Sequence, residues 1–382
     1  MPTLREIETL AALDRALAGG GPLAGLRLRD LDLRAHEERL LEVDDFSGVV
    51  VLGGELTPRL ERHLRHGHAI IFPTAPRAPV DPYRAVLYSP EELYAGLDRD
   101  GYAATPDACA YAWSRDARAR SDAFVTLLRA IHDDSVGDAL DELVEGHSVV
   151  GVMGGHAIER GSEQFADAAV LGHDLAEAGL LVATGGGPGA MEAANLGAWL
   201  RDGSRLREAL DRLAAVPRFA PDVGAWAQSG LGVRRALRPE PGSAPRSVGV
   251  PTWFYGHEPP NVFGDGIAKF FSNAVREDGL LARCNAGIVV LAGAAGTVQE
   301  IFQVATRLYY EQVEPGSGAF DASREGVDAP MPPLVLVGGS HWRDGIPAWP
   351  ALQALGRGRR MAGAIHLVDT MAEAAEVVRR RT

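Results

Sequence analysis

Two glycine-rich segments of this sequence contain the residue types that bind anions. The first reads TGGGPGAME over residues 184–192, and the second reads AGAAGTVQE over residues 292–300. In each, an apolar run predicts a buried strand that passes through small residues directly into a helix. Glycine lets the backbone turn sharply and approach a ligand closely, and the N–H groups at the start of a helix attract phosphate. The alternative for each segment is a tight turn without a ligand.

Thr297 and Glu300 stand at the predicted start of the second of these helices. A glutamate at that place can serve as a catalytic carboxylate. The same Thr-x-x-Glu spacing is also typical of a capping box, in which each side chain satisfies the backbone N–H of the other residue. Spacing alone favours the cap.

A helix predicted over residues 264–281 adds basic groups. Lys269, Asn273 and Arg276 are four and three residues apart, so on a helix they share one face and can meet a phosphate or a carboxylate. The alternative is a solvated basic stripe flanked by Glu277 and Asp278.

The loop 252–261, TWFYGHEPPN, combines aromatic rings with a histidine and an acid. The rings can stack on a base or simply pack in the core, and His257 is either an acid–base group or a solvated loop residue. Gly154 and Gly155 follow another predicted strand and can form a further wall of the same crevice.

Composition restricts the classes of function. The net charge of -13 argues against nonspecific binding of duplex DNA, which requires a basic surface. Cys109 and Cys284 offer no metal-ligand spacing, and two cysteines this far apart suggest a reducing compartment. We find neither a signal peptide core nor an apolar stretch long enough to cross a membrane, so we expect a cytoplasmic protein without nucleic-acid or membrane partners. No metal, Walker or nucleophile-elbow motif is present, and we expect no cofactor.

Strands alternating with helices predict an α/β fold, a parallel sheet with helices on both faces. A length of 382 residues suggests two domains. Residues 1–20 read as a helix, residues 48–73 as strand–helix–strand, and residues 113–146 as helical. The later strands are predicted at 148–153, 180–184, 248–254, 286–292, 334–337 and 364–368, and the other helices at 161–178, 190–201 and 297–310. We therefore predict a smaller N-terminal α/β and helical region, 1–140, of unassigned role. A nucleotide-binding domain, 141–382, follows, with 202–246 as an insertion or lid.

The paired motifs GGGPGAME and AGAAGTVQE resemble the signature pair of the LOG (lonely guy) family, GGGxxGLMG and PGGxGTxxE. The resemblance extends over roughly residues 147–370. It implies a Rossmann-like, doubly wound fold, a homodimer or higher homo-oligomer, and phosphoribohydrolase activity. Larger relatives with an added N-terminal region include nucleotide 5′-monophosphate nucleosidases. The sequence departs from the family at Ala292 and Ala294, which replace the proline and a glycine of PGG, and at Glu277, where the family has a lysine.

The resemblance also implies roles for individual residues. Glu300 and Arg276 match the catalytic pair. The residues that match the phosphate-binding loops are Gly186, Gly187, Gly189, Gly293, Gly296 and Thr297. We expect further contacts to the substrate from Gly154, Gly155, Met191, His257, Lys269 and Asn273.

The expected reaction is hydrolysis of the N-glycosidic bond of a nucleoside 5′-monophosphate to free base and ribose 5-phosphate. Arg276 is expected to lower the pKa of Glu300 and keep it ionised at pH 7. The alternative is a non-catalytic nucleotide or cofactor carrier, which the altered second motif favours and which occurs on the same fold in molybdenum-cofactor carriers. A decarboxylase that uses pyridoxal phosphate is disfavoured because lysine is very scarce and no motif supports Lys269 in that role.

Overall fold

A computed structural model describes residues 5–19, 23–72, 74, 78–239, 244–255, 258–310 and 331–380. The chain divides into two compact units. The smaller unit consists of Met1–Val86 and Ser121–Asp138, and the larger unit of Leu87–Arg120 and Ala139–Thr382. Residues 87–120 therefore group with the larger unit.

The smaller unit contains a four-stranded parallel sheet in the order β1-β2-β3-β4. Its strands are β1 Arg5–Ile7, β2 Leu26–Arg29, β3 Val50–Leu52 and β4 Ile70–Phe72. The helices between them are α1 Leu10–Ala18, α2 Glu37–Leu40 and α3 Pro58–His66. The predicted strand–helix–strand at 48–73 is confirmed, whereas the single helix predicted over residues 1–20 is wrong, because β1 precedes α1.

The strand β2 was not predicted, although its sequence, LRLR, alternates leucine with arginine as a half-buried strand does. Arg29 is nevertheless buried. Its guanidinium donates to the carbonyl oxygens of Tyr83 and Arg84, at 3.2 and 2.7 Å, and to the carboxylate of Glu6. A buried charge is tolerated where it is hydrogen-bonded in this way.

The helices before the second sheet are α4 Pro90–Leu93, α5 Leu97–Asp100, α6 Pro106–Arg115, α7 Ala117–Ser121 and α8 Ala123–Val144. They confirm the helical prediction for residues 113–146 in outline. The helix α8 contributes residues to both units.

The larger unit contains a seven-stranded parallel sheet in the order β11-β10-β9-β5-β6-β7-β8. Its strands are β5 Val149–Met153, β6 Leu181–Thr184, β7 Ser247–Gly249, β8 Gly266–Ile267, β9 Gly287–Val290, β10 Leu334–Val337 and β11 Ile365–Val368. The chain proceeds from β5 outward to β8 and then returns to β9 on the other side of β5. This reversal beside the central strand is the place where open α/β sheets form a ligand crevice.

Helices flank this sheet, which gives the Rossmann-like α/β fold that the sequence predicts. They are α9 Glu163–Glu177, α10 Ala190–Trp199, α11 Leu206–Ala214, α12 Val223–Ala236, α13 Asn273–Arg283, α14 Ala295–Tyr310, α15 Ala348–Gly356 and α16 Met371–Arg379. The helix α10 is buried along its whole length. Gly197 allows this burial, since a Cβ there would stand 1.8 Å from the carbonyl oxygen of Ala169 on α9.

Two predictions about this unit require correction. The helix predicted over 264–281 is wrong in its first half, because β8 occupies Gly266–Ile267 and α13 begins only at Asn273. The predicted strand over 248–254 is shorter, and ends at Gly249. The segment 202–246, predicted as an insertion or lid, contains α11 and α12.

Among the described residues, none of the helices combines the length and the apolarity needed to span a membrane.

Candidate functional site

A cavity of about 980 Å³ opens at the carboxyl ends of β5, β6 and β9 in the larger unit. The strands β6 and β9 both pair with β5, in register at Gly151, Ala183 and Ile288. Their carboxyl ends therefore meet at one edge of the sheet. Gly154 and Gly155 line the cavity after β5, and the two glycine-rich segments face each other across them.

The second glycine-rich segment ends in an open helix terminus. The first helical hydrogen bond of α14 runs from the N–H of Val298 to the carbonyl oxygen of Ala294. The N–H groups of Ala295, Gly296 and Thr297 consequently have no acceptor within the helix. These residues line the cavity together with Gly293. Amide groups and a helix dipole that point at one place form an anion seat.

The capping-box interpretation of Thr297 and Glu300 is wrong. The helix begins at Ala295, two residues before Thr297, so Thr297 is not the residue that caps it. The Glu300 side chain turns instead toward the cavity and toward Arg276.

The first glycine-rich segment is more tightly bound by the protein itself. The N–H of Gly186 donates to Thr184 Oγ1 at 2.9 Å, and its carbonyl oxygen accepts from the N–H of Asn261 at 2.8 Å. Gly189 packs on the preceding loop, where a Cβ would stand 2.8 Å from the carbonyl oxygen of Gly155. Gly186 and Gly189, with φ of +70° and +74°, thus shape the turn and do not line the cavity, whereas Gly187 does.

Arg276 connects the strand ends to Glu300. Its Nε donates to the carbonyl oxygen of Val250 at 2.7 Å, and its Nη2 donates to that of Gly185 at 3.2 Å. Its Nη1 lies 3.5 Å from Glu300 Oε1. Position 185 must be glycine for this approach, because a Cβ there would stand 2.3 Å from Nη2. Arg276 is thereby held rigidly beside the carboxylate, although it reaches the cavity from α13.

Burial raises the pKa of Glu300 to about 7. The positive charge of Arg276 opposes this rise but is the smaller effect, and the nearby charge of Glu277 adds to it. The expectation that Arg276 keeps this carboxyl fully ionised is therefore wrong. Near pH 7 both forms of Glu300 are populated, which is the condition for exchanging protons with a substrate or a water molecule.

Glu277 and Asn273 form a hydrogen-bonded layer beside this pair. Glu277 lines the cavity, and its Oε2 accepts from Asn273 Nδ2 at 3.1 Å and from Gln299 Nε2 at 2.9 Å. Burial raises the pKa of Glu277 as well. Asn273 does not line the cavity, and it links Glu277 to the hydroxyl of Tyr255, 3.3 Å away.

Lys269 does not line the cavity either. It lies between β8 and α13, with its side chain 2% exposed. Its Nζ donates to Asp107 Oδ1 at 2.6 Å and stands over the ring of Trp253. Burial lowers the pKa of Lys269, against the opposing effect of Asp107. The predicted helix face shared by Lys269 and Arg276 does not exist, since Lys269 precedes the helix.

Two predicted residues remain, Met191 and His257. Met191 lines the cavity beside Gly185 and Gly187. His257 lies outside the described residues. The sequence did not single out Glu258. Its Oε1 lies 2.9 Å from His156 Nδ1, and both residues line the cavity.

The sequence matches no protein-family model and no curated protein. The solved structures with a similar fold include two that bind or carry the molybdenum cofactor. One is a molybdenum cofactor binding protein from the phototrophic bacterium Rippkaea orientalis, 14% identical, covering 62% of this chain and 98% of its own, with a TM-score of 0.34. The other is the molybdenum cofactor carrier protein of Chlamydomonas reinhardtii, 17% identical, covering 61% of this chain and 97% of its own, also with a TM-score of 0.34. Likenesses this distant say nothing about the ligand of this cavity.

Proposed function

We propose that the larger unit binds a nucleoside 5′-monophosphate and hydrolyses its N-glycosidic bond to free base and ribose 5-phosphate. The observation that carries this proposal is the Arg276–Glu300 pair in the same cavity as the open terminus of α14. An anion seat and a carboxyl with a pKa of about 7 are together what such a hydrolase needs.

The 5′-phosphate binds at the start of α14. The N–H groups of Ala295, Gly296 and Thr297 supply donors there without displacing any intrahelical bond. A volume of about 980 Å³ accommodates a nucleotide, since pockets for small molecules are commonly about 300–1,000 Å³. A phosphate held in this way positions the sugar against the side chains farther along the helix.

Glu300 acts at the anomeric carbon. The bond to the base breaks with positive charge developing on the ribosyl ring, as in glycoside hydrolysis generally. A carboxylate close to that carbon stabilises the charge and accepts a proton from the attacking water molecule. Arg276 keeps Glu300 in place and limits the rise of its pKa.

A non-catalytic nucleotide or cofactor carrier is the second candidate. The observation that favours it lies in the first glycine-rich segment, where the N–H of Gly186 donates to Thr184 Oγ1 and is not available to a ligand. The first segment therefore offers a bound phosphate fewer N–H donors than it would if its backbone were open. A carrier needs the cavity but not the acid–base properties of Glu300.

Incubation with AMP, GMP, CMP and UMP separates the two functions. We expect release of free base and ribose 5-phosphate from at least one of them, measured by chromatography. Glu300→Gln should retain nucleotide binding, measured by calorimetry, and lose turnover. Glu376→Gln is the matched control, because Glu376 is exposed on α16 and away from the cavity. Binding without release by the unaltered protein supports the carrier, and absence of both contradicts either function.

A further inference from the structure

His156 and Glu258 form a second acid–base pair on the cavity wall, which the mechanism above does not use. His156 Nδ1 lies 2.9 Å from Glu258 Oε1. His156 follows β5, and its side chain is 47% exposed where it lines the cavity. Glu258 reaches over the first glycine-rich segment, since a Cβ on Gly187 would stand 3.4 Å from its Oε2. The pair therefore shares the cavity with Glu300 but lies on different elements.

Neighbouring residues hold His156 in place. Its backbone packs against Gly189, where a Cβ would stand 2.9 Å from the Cα of His156. The ring meets Phe219 edge-on, with centroids 6.4 Å apart. The carboxylate of Glu258 faces Nδ1, so Nε2 lies on the opposite edge of the ring. If Nδ1–H donates to Glu258, Nε2 carries a hydrogen only in the imidazolium form, which is the form that a general acid requires.

Other charged groups surround this pair. Glu159 lines the same wall and forms an ion pair with Arg218, whose Nε lies 2.6 Å from Glu159 Oε1. Glu258 contributes the carboxylate that lies 2.9 Å from His156 Nδ1.

Hydrolysis of a nucleotide needs a group of this kind. Glu300 accounts for the proton of the attacking water molecule. The departing base takes the electron pair of the broken bond, and as an anion it is a poor leaving group. A positioned acid that protonates the base as the bond breaks accelerates such a step by about 10²–10⁴-fold.

We propose that His156, oriented by Glu258, is the general acid that protonates the leaving base; this inference rests on the proposed hydrolase function. The bond between C1′ and the base nitrogen breaks, and its electron pair goes to the base. The Nε2 proton of His156 goes to a ring nitrogen of the base. The oxygen of water bonds to C1′, and the water proton goes to Glu300. Glu300 then releases its proton to solvent, solvent returns a proton to His156, and the products are free base and ribose 5-phosphate.

The test compares two substrates that differ in the leaving group. One is the nucleotide among AMP, GMP, CMP and UMP that releases most base. The other is 4-nitrophenyl ribofuranoside 5-phosphate, whose leaving nitrophenolate needs no protonation. We expect His156→Gln to lower kcat for the nucleotide by about 10²–10⁴-fold and to leave kcat for the nitrophenyl substrate within about threefold of the unaltered enzyme. Glu258→Gln should show the same selectivity with a smaller loss.

Two controls accompany these variants. His147→Gln changes the same residue type two residues before β5, at the opposite end of the strand from His156 and outside the cavity, and should alter neither rate. Glu300→Gln should lose activity toward both substrates. If His156→Gln loses kcat equally for both substrates, or retains it fully for both, the assignment of the general acid is overturned. Failure of the unaltered protein to hydrolyse either substrate overturns the hydrolase function itself, and the assignment with it.

Discussion

Replacement of Glu300 by glutamine should stabilise the protein at alkaline pH. Burial raises the pKa of this carboxyl from 4.5 to about 7. The folded state therefore binds more protons than the unfolded state between these values, so the stability of the unaltered protein falls as pH rises through this window. At about 1.4 kcal/mol per pH unit the whole effect is about 3 kcal/mol, of which roughly 2.5 kcal/mol is lost between pH 5 and pH 8. The neutral amide of Glu300→Gln does not titrate and escapes this loss.

Urea unfolding at pH 5 and pH 8, followed by tryptophan fluorescence, measures the difference. All six tryptophans belong to the larger unit, so the signal reports the unit that contains Glu300. The unfolding free energy of Glu300→Gln minus that of the unaltered protein should rise by about 2.5 kcal/mol between pH 5 and pH 8. The exposed Glu376→Gln should show a difference that is nearly the same at both pH values. If Glu300→Gln shows no gain, or a loss, the carboxyl is not destabilised by burial and the reasoning about its pKa is wrong.

Two further variants test the surroundings of the site. Because the charge of Glu277 raises the pKa of Glu300, Glu277→Gln should shift the rise of kcat/KM with pH, expected near pH 7 in the unaltered enzyme, to lower pH. An unchanged or upward-shifted pH profile contradicts that coupling. Lys269→Met leaves Asp107 buried without its cation and should cost about 3–5 kcal/mol of unfolding free energy. Adding Asp107→Asn should recover much of that loss in urea unfolding, and a double variant as unstable as the single one argues against the pair.

The location of the site follows from local sequence. The apolar runs that became β5, β6 and β9 are each followed by small residues, and parallel strands place their carboxyl ends at one edge. Pairing of β6 and β9 with β5 then brings residues 184–192 and 292–300 into one cavity. Patterning of this kind is a property of a few consecutive residues, which is why it can be recognised without the structure.

The extent of the helix around Lys269 could not be recognised in that way. Residues 264–281 have a helical pattern, yet the N–H of Ala268 donates to the carbonyl oxygen of Gly249 and that of Phe270 to Pro251. These bonds to β7 and the loop after it hold the segment in extended form until Asn273. Pairing with a strand distant in sequence outweighs local propensity, and no local pattern reveals it.

The protonation of Glu300 likewise depends on the assembled cavity. Its neighbours Arg276 and Glu277 act in opposite directions, and the larger effect is burial, which results from the packing of several elements. Sequence shows that a carboxylate and a guanidinium are available, but it does not show how much water the fold removes from each. The sign of a pKa shift is determined by that balance.

The distribution of charge in the cavity gives the proposed substrate an orientation. Of the charged side chains that line its described part, Glu159, Glu258, Glu277 and Glu300 are acidic and only Arg276 is a permanent cation. A phosphate is repelled by such a wall and is attracted to the backbone N–H groups at the start of α14. The ribosyl ring, which becomes positively charged as the bond to the base breaks, is stabilised by the same wall that repels the phosphate. The acidic wall therefore supports a ligand with one anionic end and a reacting centre that becomes cationic, which a nucleoside monophosphate provides.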